Sequence, residues 1–116
     1  MIILYNIKYI KSLAKINITQ FASTFCKTIK IWDISSENHL KSLSGHDDTV
    51  QIIIKLNNFQ LASGSKDKLI KIWDIISLKC IRTIEAHNYS VDILVKLNDN
   101  MIVSGGKDKT IKVWTI

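Results

Sequence analysis

Several absences in this chain of 116 residues narrow what it can be. With no proline and only 4 glycines, it has no segment that resembles a linker or a disordered tail. No stretch approaches the ~20 apolar residues of a transmembrane helix, and the apolar start, 1–4, is too short for a signal peptide. We therefore expect a cytoplasmic or nuclear protein without a membrane span.

Cysteine and arginine are also scarce. Cys26 and Cys80 form no CxxC pair and no HExxH motif is present, so we expect free thiols and neither a metal ion nor a cofactor. The net charge is +6, yet Arg82 is the only arginine and the lysines form no block. This pattern favours a solvated surface over a site for nucleic acid or an anionic membrane.

The chain does contain a repeat. Trp32, Trp73 and Trp114 follow one another at intervals of 41 residues, and a fixed period near 40 marks a repeat protein. Residues 45–75 align without a gap with 86–116, giving 15 identities in 31 positions. We therefore interpret the chain as a series of like structural units, which favours a binding platform over a one-site enzyme.

Each unit has the pattern of antiparallel strands. Segments 49–56 and 90–97 are β-branched and apolar, and each is followed by an Asn/Asp cluster suited to a tight turn. The other predicted strands are 59–64, 69–74 and 80–84 in one unit and 101–105 and 110–115 in the next. Four strands in a period of about 40 residues are typical of a β-propeller blade.

These residues resemble the WD-repeat family. One unit has Gly45-His46 and ends in Trp73-Asp74, and the next has Ala86-His87 and ends in Trp114-Thr115, without the Asp. The first unit keeps Trp32-Asp33 but is degenerate and one residue short. There Asn6 stands where His is expected, and Cys26 where Asp is expected.

The resemblance implies a buried hydrogen-bond chain that runs in each unit from Trp through Ser and His to Asp. A buried indole N–H needs an acceptor, a hydroxyl and an imidazole can both accept and donate, and a carboxylate ends the chain as an acceptor. The implied sets are Trp73, Ser63, His46 and Asp67, then Trp114, Ser104, His87 and Asp108, with Trp32, Ser23, Asn6 and Cys26 in the degenerate unit.

The resemblance also implies an all-β fold of three four-stranded antiparallel blades that form an incomplete propeller. Blade 1 is expected over about 5–44, blade 2 over about 45–85 and blade 3 over about 86–116 without its last strand, with 1–4 as a stray outer strand. Propellers have about four to eight blades. The chain is thus a fragment of a larger propeller, the interpretation we favour, or pairs head to tail into a six-bladed ring. An open arc with exposed sheet edges is the third alternative.

His, Ser and Asp together also raise the hypothesis of a hydrolase. Trp at a fixed spacing has no role in that chemistry, no oxyanion-hole glycine motif accompanies the serines, and an active site is rarely duplicated at a strict period. We therefore expect no catalysis.

The expected function is a scaffold that binds other proteins through loops gathered on one face of the propeller. The candidate residues there are Asp48, Lys66, Tyr89 and Lys107, with Tyr89 as an aromatic anchor. The alternatives are a truncated chain without independent function, or a binder of nucleic acid or anionic lipid. That binder would use Lys30, Lys71 and Lys112; if the chain does not bind such ligands, we expect these lysines to be solvated positions of the third strands. We expect His39 to be an exposed strand residue.

Overall fold

A computed structural model describes residues 10–35 and 40–116. Within these ranges the chain forms three antiparallel sheets and no helix. The first sheet is β1 (Leu13–Lys15), β2 (Gln20–Phe25), β3 (Thr28–Asp33) and β4 (Leu40–Leu43). The second is β5 (Val50–Asn57), β6 (Gln60–Ser65), β7 (Leu69–Asp74) and β8 (Lys79–Glu85), and the third is β9 (Val91–Asn98), β10 (Met101–Gly106) and β11 (Ile111–Thr115).

Strands that follow one another in the chain are neighbours in each sheet. Because side chains alternate between the two faces of a strand, the register decides which residues share a face. In the second sheet Leu61 lies opposite Trp73 and Ser63 opposite Lys71, while Ala62 lies opposite Ile72. One face of this sheet therefore carries the tryptophan, and the other carries small and branched apolar side chains.

The sheets stack in chain order, with β1 and β2 against β5 and with β5 and β6 against β9. Between the first and second sheets, Ile29, Ile31 and Leu43 pack against the tryptophan face of the second sheet, including Leu61 and Trp73. Between the second and third sheets, the opposite face of the second sheet packs against the tryptophan face of the third. That core contains Ile70, Ile72, Val91, Leu94 and Ile102. The tryptophan faces of the second and third sheets are thus each turned towards the preceding sheet.

A lysine of the later sheet reaches across each of these two cores. The Nζ of Lys55 donates to the carbonyl of Ile16 at 2.5 Å, and the Nζ of Lys96 donates to the carbonyl of Leu56 at 2.6 Å. Since a charged donor shortens and strengthens a hydrogen bond, both contacts tie one sheet to the end of the first strand of the sheet before it.

The prediction of an all-β fold made of antiparallel blade-like sheets is confirmed; within the described residues the sheets do not close into a ring.

The first unit is one residue shorter than the others because the turn between its second and third strands is shorter. Only Cys26 and Lys27 separate β2 from β3, whereas 66–68 separate β6 from β7. The expectations for 1–4, Asn6 and His39 lie outside the described residues. Over 10–35 and 40–116 no helix is present that could cross a membrane.

Candidate functional site

In the second sheet four polar side chains from four different segments meet. His46 lies in the loop before β5, Ser63 in β6, Asp67 in the turn after β6, and Trp73 in β7. The Nε1–H of Trp73 donates to the Oγ of Ser63 at 2.8 Å, and that Oγ lies 2.6 Å from the Nε2 of His46. The Nδ1 of His46 lies 2.7 Å from Asp67. We call this set the second-sheet tetrad.

The donors and acceptors of the tetrad fit one direction of hydrogen bonding. We assign the neutral imidazole of His46 with its proton on Nδ1, because Asp67 can only accept there. The Nε2 then accepts the hydroxyl proton of Ser63, whose oxygen accepts the indole proton of Trp73. Protonation of Nε2 would leave the Ser63 hydroxyl without this acceptor, so the neutral form of His46 suits the folded state.

The directions in which the protein shifts the pKa values of His46 and Asp67 agree with that assignment. Burial lowers the pKa of His46 from 6.5, and the hydrogen bond and charge of Asp67 offset only part of that effect. Burial of Asp67 acts to raise the pKa of its carboxyl. The hydrogen bonds from His46 and from the backbone N–H groups of Asp47 and Leu69 outweigh it, so that the pKa falls below 3.8. The folded protein therefore favours a neutral His46 beside an ionised Asp67.

The third sheet holds the corresponding set with a more open environment. Trp114 donates to the Oγ of Ser104 at 2.8 Å, and the Nε2 of His87 lies 2.7 Å from the same oxygen. The Nδ1 of His87 lies 3.0 Å from both carboxylate oxygens of Asp108. Trp114 is half-buried where Trp73 is buried, so this third-sheet tetrad is less protected from water.

Asp108 is held ionised by hydrogen bonds of its own. The hydroxyl of Thr110 makes the largest contribution to the lowered pKa of this carboxyl, and the backbone N–H groups of Asn88 and Thr110 add to it. Burial acts in the opposite direction but is outweighed.

The first sheet keeps a single link of this pattern among the described residues. The Nε1–H of Trp32 donates to the Oγ of Ser23 at 2.8 Å. Cys26 is exposed and has a backbone φ of 52°, in the left-handed region that non-glycine residues seldom adopt. The two residues of this turn are Cys26 and Lys27, so it supplies no carboxylate to correspond to Asp67 of the second sheet.

Both aspartates also fix the loops at one end of the sheets, which we call the loop end. Asp67 accepts the backbone N–H of Asp47 at 3.0 Å and of Leu69 at 3.0 Å, so it joins the loop before β5 to the turn after β6. Asp108 accepts the N–H groups of Asn88 and Thr110 in the same way, both at 3.1 Å. The buried tetrads therefore hold the exposed loops above them.

The four predicted binding residues all lie exposed at the loop end. Asp48 and Tyr89 belong to the loops before β5 and β9, and Lys66 and Lys107 belong to the turns after β6 and β10. Backbone bonds from Lys66 to Thr49 at 2.9 Å and from Lys107 to Ser90 at 3.0 Å hold each turn beside its loop. The structure thus brings these residues together in two pairs, one at each tetrad.

A cleft of about 420 Å³ lies at the loop end, between the second and third sheets. Its wall includes Lys68, Glu85, Asn88 and Lys112 as well as the tetrad residues Asp67 and His87. The cleft therefore presents charges of both signs, and one residue from each tetrad lines it.

The His–Ser–Asp geometry resembles a hydrolase triad, but the serine is not accessible. Ser63 is 0% exposed and Ser104 is 1% exposed. The Oγ of each serine also accepts an indole N–H at 2.8 Å. A nucleophile needs a path to its substrate, and neither hydroxyl has one in this arrangement.

The repeated lysines of the third strands are half-buried and not fully solvated. The Nζ of Lys30 donates to Ser42 at 2.8 Å and that of Lys71 to Thr83 at 3.0 Å, while that of Lys112 donates to the carbonyl of Ala86 at 2.7 Å. The fourth strand, or the loop that follows it, supplies an acceptor within reach of each ammonium. The bonds of Lys30 and Lys71 are exposed to solvent, whereas that of Lys112 is partly buried.

Sequence reasoning missed Ser65, which is fully buried beneath the loop end. Its Oγ lies 3.0 Å from the carbonyl of Asp48 and 2.9 Å from that of Thr49, and it accepts the N–H of Asp67 at 3.1 Å. The third sheet has Gly106 at this position, so no repeat signal marked Ser65.

Comparison with protein families identifies the class of protein that this fold and these tetrads define. The family described as WD domain, G-beta repeat matches residues 37–74 and 78–115. The chain belongs to the WD-repeat family. Each match runs from the last strand of one sheet to the third strand of the next, so the matched units and the sheets are offset by one strand. Comparison with curated proteins gives no match.

Proposed function

We propose that this chain is a non-catalytic module that binds other proteins at its loop end. The observation that carries the proposal is that two hydrogen-bonded tetrads fix exposed loops of mixed polarity above them. Holding loops in one conformation before a partner arrives lowers the entropy cost of binding. WD repeats generally mediate protein–protein interaction, which supports this role.

The buried serines support the non-catalytic part of the proposal. In each tetrad the hydroxyl that would have to act as a nucleophile is enclosed by a tryptophan and a histidine. The same hydrogen bonds have a sufficient structural purpose, since a buried indole or imidazole without a partner costs about 1–3 kcal/mol.

Within the loop end, the proposed contact residues are Asp48, Lys66, Tyr89 and Lys107. Tyr89 is the proposed anchor because an aromatic ring with a polar tip contributes strongly when it is buried at an interface. The adjoining cleft carries both acidic and basic side chains. We therefore propose a polar protein segment as the ligand.

Binding of nucleic acid or anionic lipid is the competing function. It would rely on the repeated row of Lys30, Lys71 and Lys112, but each of these ammonium groups already donates to an acceptor within the protein. An ammonium that must first leave such an acceptor contributes less free energy to phosphate binding than an ammonium that has no acceptor in the protein. This observation favours the protein-binding proposal.

The test is affinity capture with variants at the loop end. We expect Lys66→Glu combined with Lys107→Glu to remove a discrete set of captured proteins, whereas Lys79→Glu, on exposed β8 and far from the loop end, should retain it. Capture that is equal for all three chains would contradict the proposed surface. Binding to heparin or RNA that falls steeply with salt would instead support the competing function.

We also propose that a second copy of this chain is a partner, which binds at a sheet face and not at the loop end.

An intracellular location, in the cytoplasm or nucleus, is proposed because Cys26 and Cys80 are both free thiols, as in proteins of reducing compartments. Cell fractionation of the tagged protein tests the location, and recovery in the secreted fraction would contradict it.

A further inference from the structure

The two cores between sheets are built from equivalent residues. Val50 and Ile53 of β5 face the first sheet, and Val91 and Leu94 of β9 face the second; all four are buried. Val91 also fills a notch at Gly64, where an added Cβ would lie 2.7 Å from the Cγ1 of Val91. Each core therefore consists of a ridge on the first strand of the later sheet and an apolar face on the earlier sheet.

The third sheet carries such an apolar face, and no described residue packs on it. Ile111 is 80% exposed and Val113 59%, whereas their equivalents Ile70 and Ile72, which the third sheet covers, are 0% and 4% exposed. Ile93, Val95 and Leu97 are exposed on the same sheet. We call the surface formed by Ile93, Val95, Val103, Gly105, Ile111 and Val113 the open face.

The open face also repeats the glycine notch. Gly105 is the equivalent of Gly64, and the nearest atom to a Cβ added there is the Cβ of Ile93 at 3.5 Å. A depression of about 150 Å³ lies over this glycine and is lined almost wholly by apolar side chains. The notch has room for a branched side chain such as the one that Val91 places at Gly64.

The first sheet carries a matching ridge, which belongs to neither of the two cores formed by the described residues. Ile10 and Leu13 align with Val50 and Ile53, yet they are 50% and 64% exposed. Lys15 aligns with Lys55 and Lys96, the two lysines that reach across the existing cores, and it is exposed. The two halves of a third core of the same kind are thus displayed at opposite ends of the stack.

We propose that the open face of one chain packs against the ridge of Ile10, Leu13 and Lys15 on a second copy of the chain, head to tail. Ile10 of the second copy occupies the notch at Gly105, and its Lys15 donates to the carbonyl of Leu97, the equivalent of Ile16 and Leu56. Two copies joined twice in this way give six blades, within the four to eight that close a propeller. Because the contact is head to tail, further copies could be added only until the ring closes, and here it closes with two.

The first measurement is the mass of the full chain by sedimentation velocity under reducing conditions. At micromolar concentrations we expect a particle of twice the 13.2 kDa of one chain. A folded monomer that persists to about 100 μM would overturn the proposal. Open-ended growth to larger assemblies would overturn the closed ring.

Paired variants locate the contact. Ile111→Lys should abolish dimers because it places a charge on the open face, whereas Ile76→Lys, at an isoleucine 71% exposed in the turn after β7, should leave them intact. Lys15→Met should weaken dimerisation about a hundredfold, because each of the two junctions of the ring loses one charged hydrogen bond, and Lys27→Met should not. Circular dichroism confirms that each variant is folded, and equal effects of test and control variants would overturn the assigned surface.

A mixing experiment tests the head-to-tail arrangement. Leu13→Lys and Ile111→Lys should each be monomeric alone, because both junctions of the ring are altered in each. A mixture of the two keeps one unaltered junction, so we expect a heterodimer that is weaker than the wild-type dimer. A stable dimer of Leu13→Lys alone would show that two open faces pair with each other, and would overturn the proposal.

Discussion

At the scale of single residues, the two tetrads differ in burial and should differ in energy. Trp73→Phe removes the indole donor from a buried Ser63 and leaves unfilled volume in the core, and we expect a loss of about 2–4 kcal/mol in the free energy of unfolding. Trp114→Phe removes the same bond at a half-buried position, where about 1 kcal/mol is expected. Urea unfolding measures both. A larger loss for Trp114→Phe would contradict the assigned burial.

The neutral state of His46 predicts how stability depends on pH. The pKa of His46 is lower in the folded than in the unfolded state, so the unfolded chain binds more protons once the pH falls below 6.5. Stability should therefore decrease from pH 6.5 towards pH 5, by up to about 1.4 kcal/mol per pH unit. The lowered pKa values of Asp67 and Asp108 add a second decrease below pH 3.8.

Urea unfolding at a series of pH values checks this prediction, with His46→Asn as the control. The variant lacks the titrating imidazole and should show a shallower slope between pH 6.5 and 5. A wild-type stability that rises as the pH falls through this range would mean that the imidazole is charged in the folded protein.

Sequence reasoning could select the tetrad side chains because they recur with the period and because a buried indole or imidazole needs a partner. It could not find the lysine contacts across the cores. Lys55 and Lys96 recur in the sequence, but their acceptors are backbone carbonyls, which have no residue identity. The acceptors of Lys30, Lys71 and Lys112 were missed for a related reason, since the Ser, Thr and carbonyl groups involved follow no common pattern.

At the scale of strands and turns, the hydrophobic pattern predicted the strands of the second and third sheets to within about two residues, because their β-branched and apolar runs are bounded by polar turn residues. The first unit was harder to predict. Its missing residue could be counted from the spacing of Lys15, Trp32 and their equivalents, but its place in the turn at Cys26 depends on how β2 pairs with β3. Pairing of Phe25 with Thr28 leaves a two-residue turn.

Two equivalent glycines should respond differently to the same substitution. A Cβ at Gly64 would meet Val91 at 2.7 Å and Ile52 at 2.9 Å, so Gly64→Ala should cost about 1–3 kcal/mol through overpacking between the sheets. Gly105→Ala meets no atom closer than 3.5 Å and should leave the stability of a single chain nearly unchanged. Thermal unfolding followed by tryptophan fluorescence at low protein concentration distinguishes them, and equal losses would contradict the packing of β9 on the second sheet.

At the scale of the whole molecule, the repeat predicted similar sheets in series. In the structure the sheets stack in chain order, and the tryptophan faces of the second and third sheets each turn towards the preceding sheet. The repeat alone could not show which surfaces remain uncovered, because Ile70 and Ile111 are the same residue at the same register and differ only in what packs on them. The loop end and the open face are separate surfaces. Failure of the pairing proposal would therefore leave the protein-binding proposal standing.

The most direct test of the binding function compares two exposed aromatic residues at opposite ends of the sheets. Tyr89 is 62% exposed at the loop end, and Phe59 is 60% exposed in the turn between β5 and β6. With a partner obtained by affinity capture and then purified, the dissociation constant is measured by calorimetry for the wild type, Tyr89→Ala and Phe59→Ala. We expect Tyr89→Ala to weaken binding at least about tenfold, as for an anchor residue, and Phe59→Ala to leave it unchanged; weakening by Phe59→Ala alone would contradict the assignment of the loop end as the binding surface.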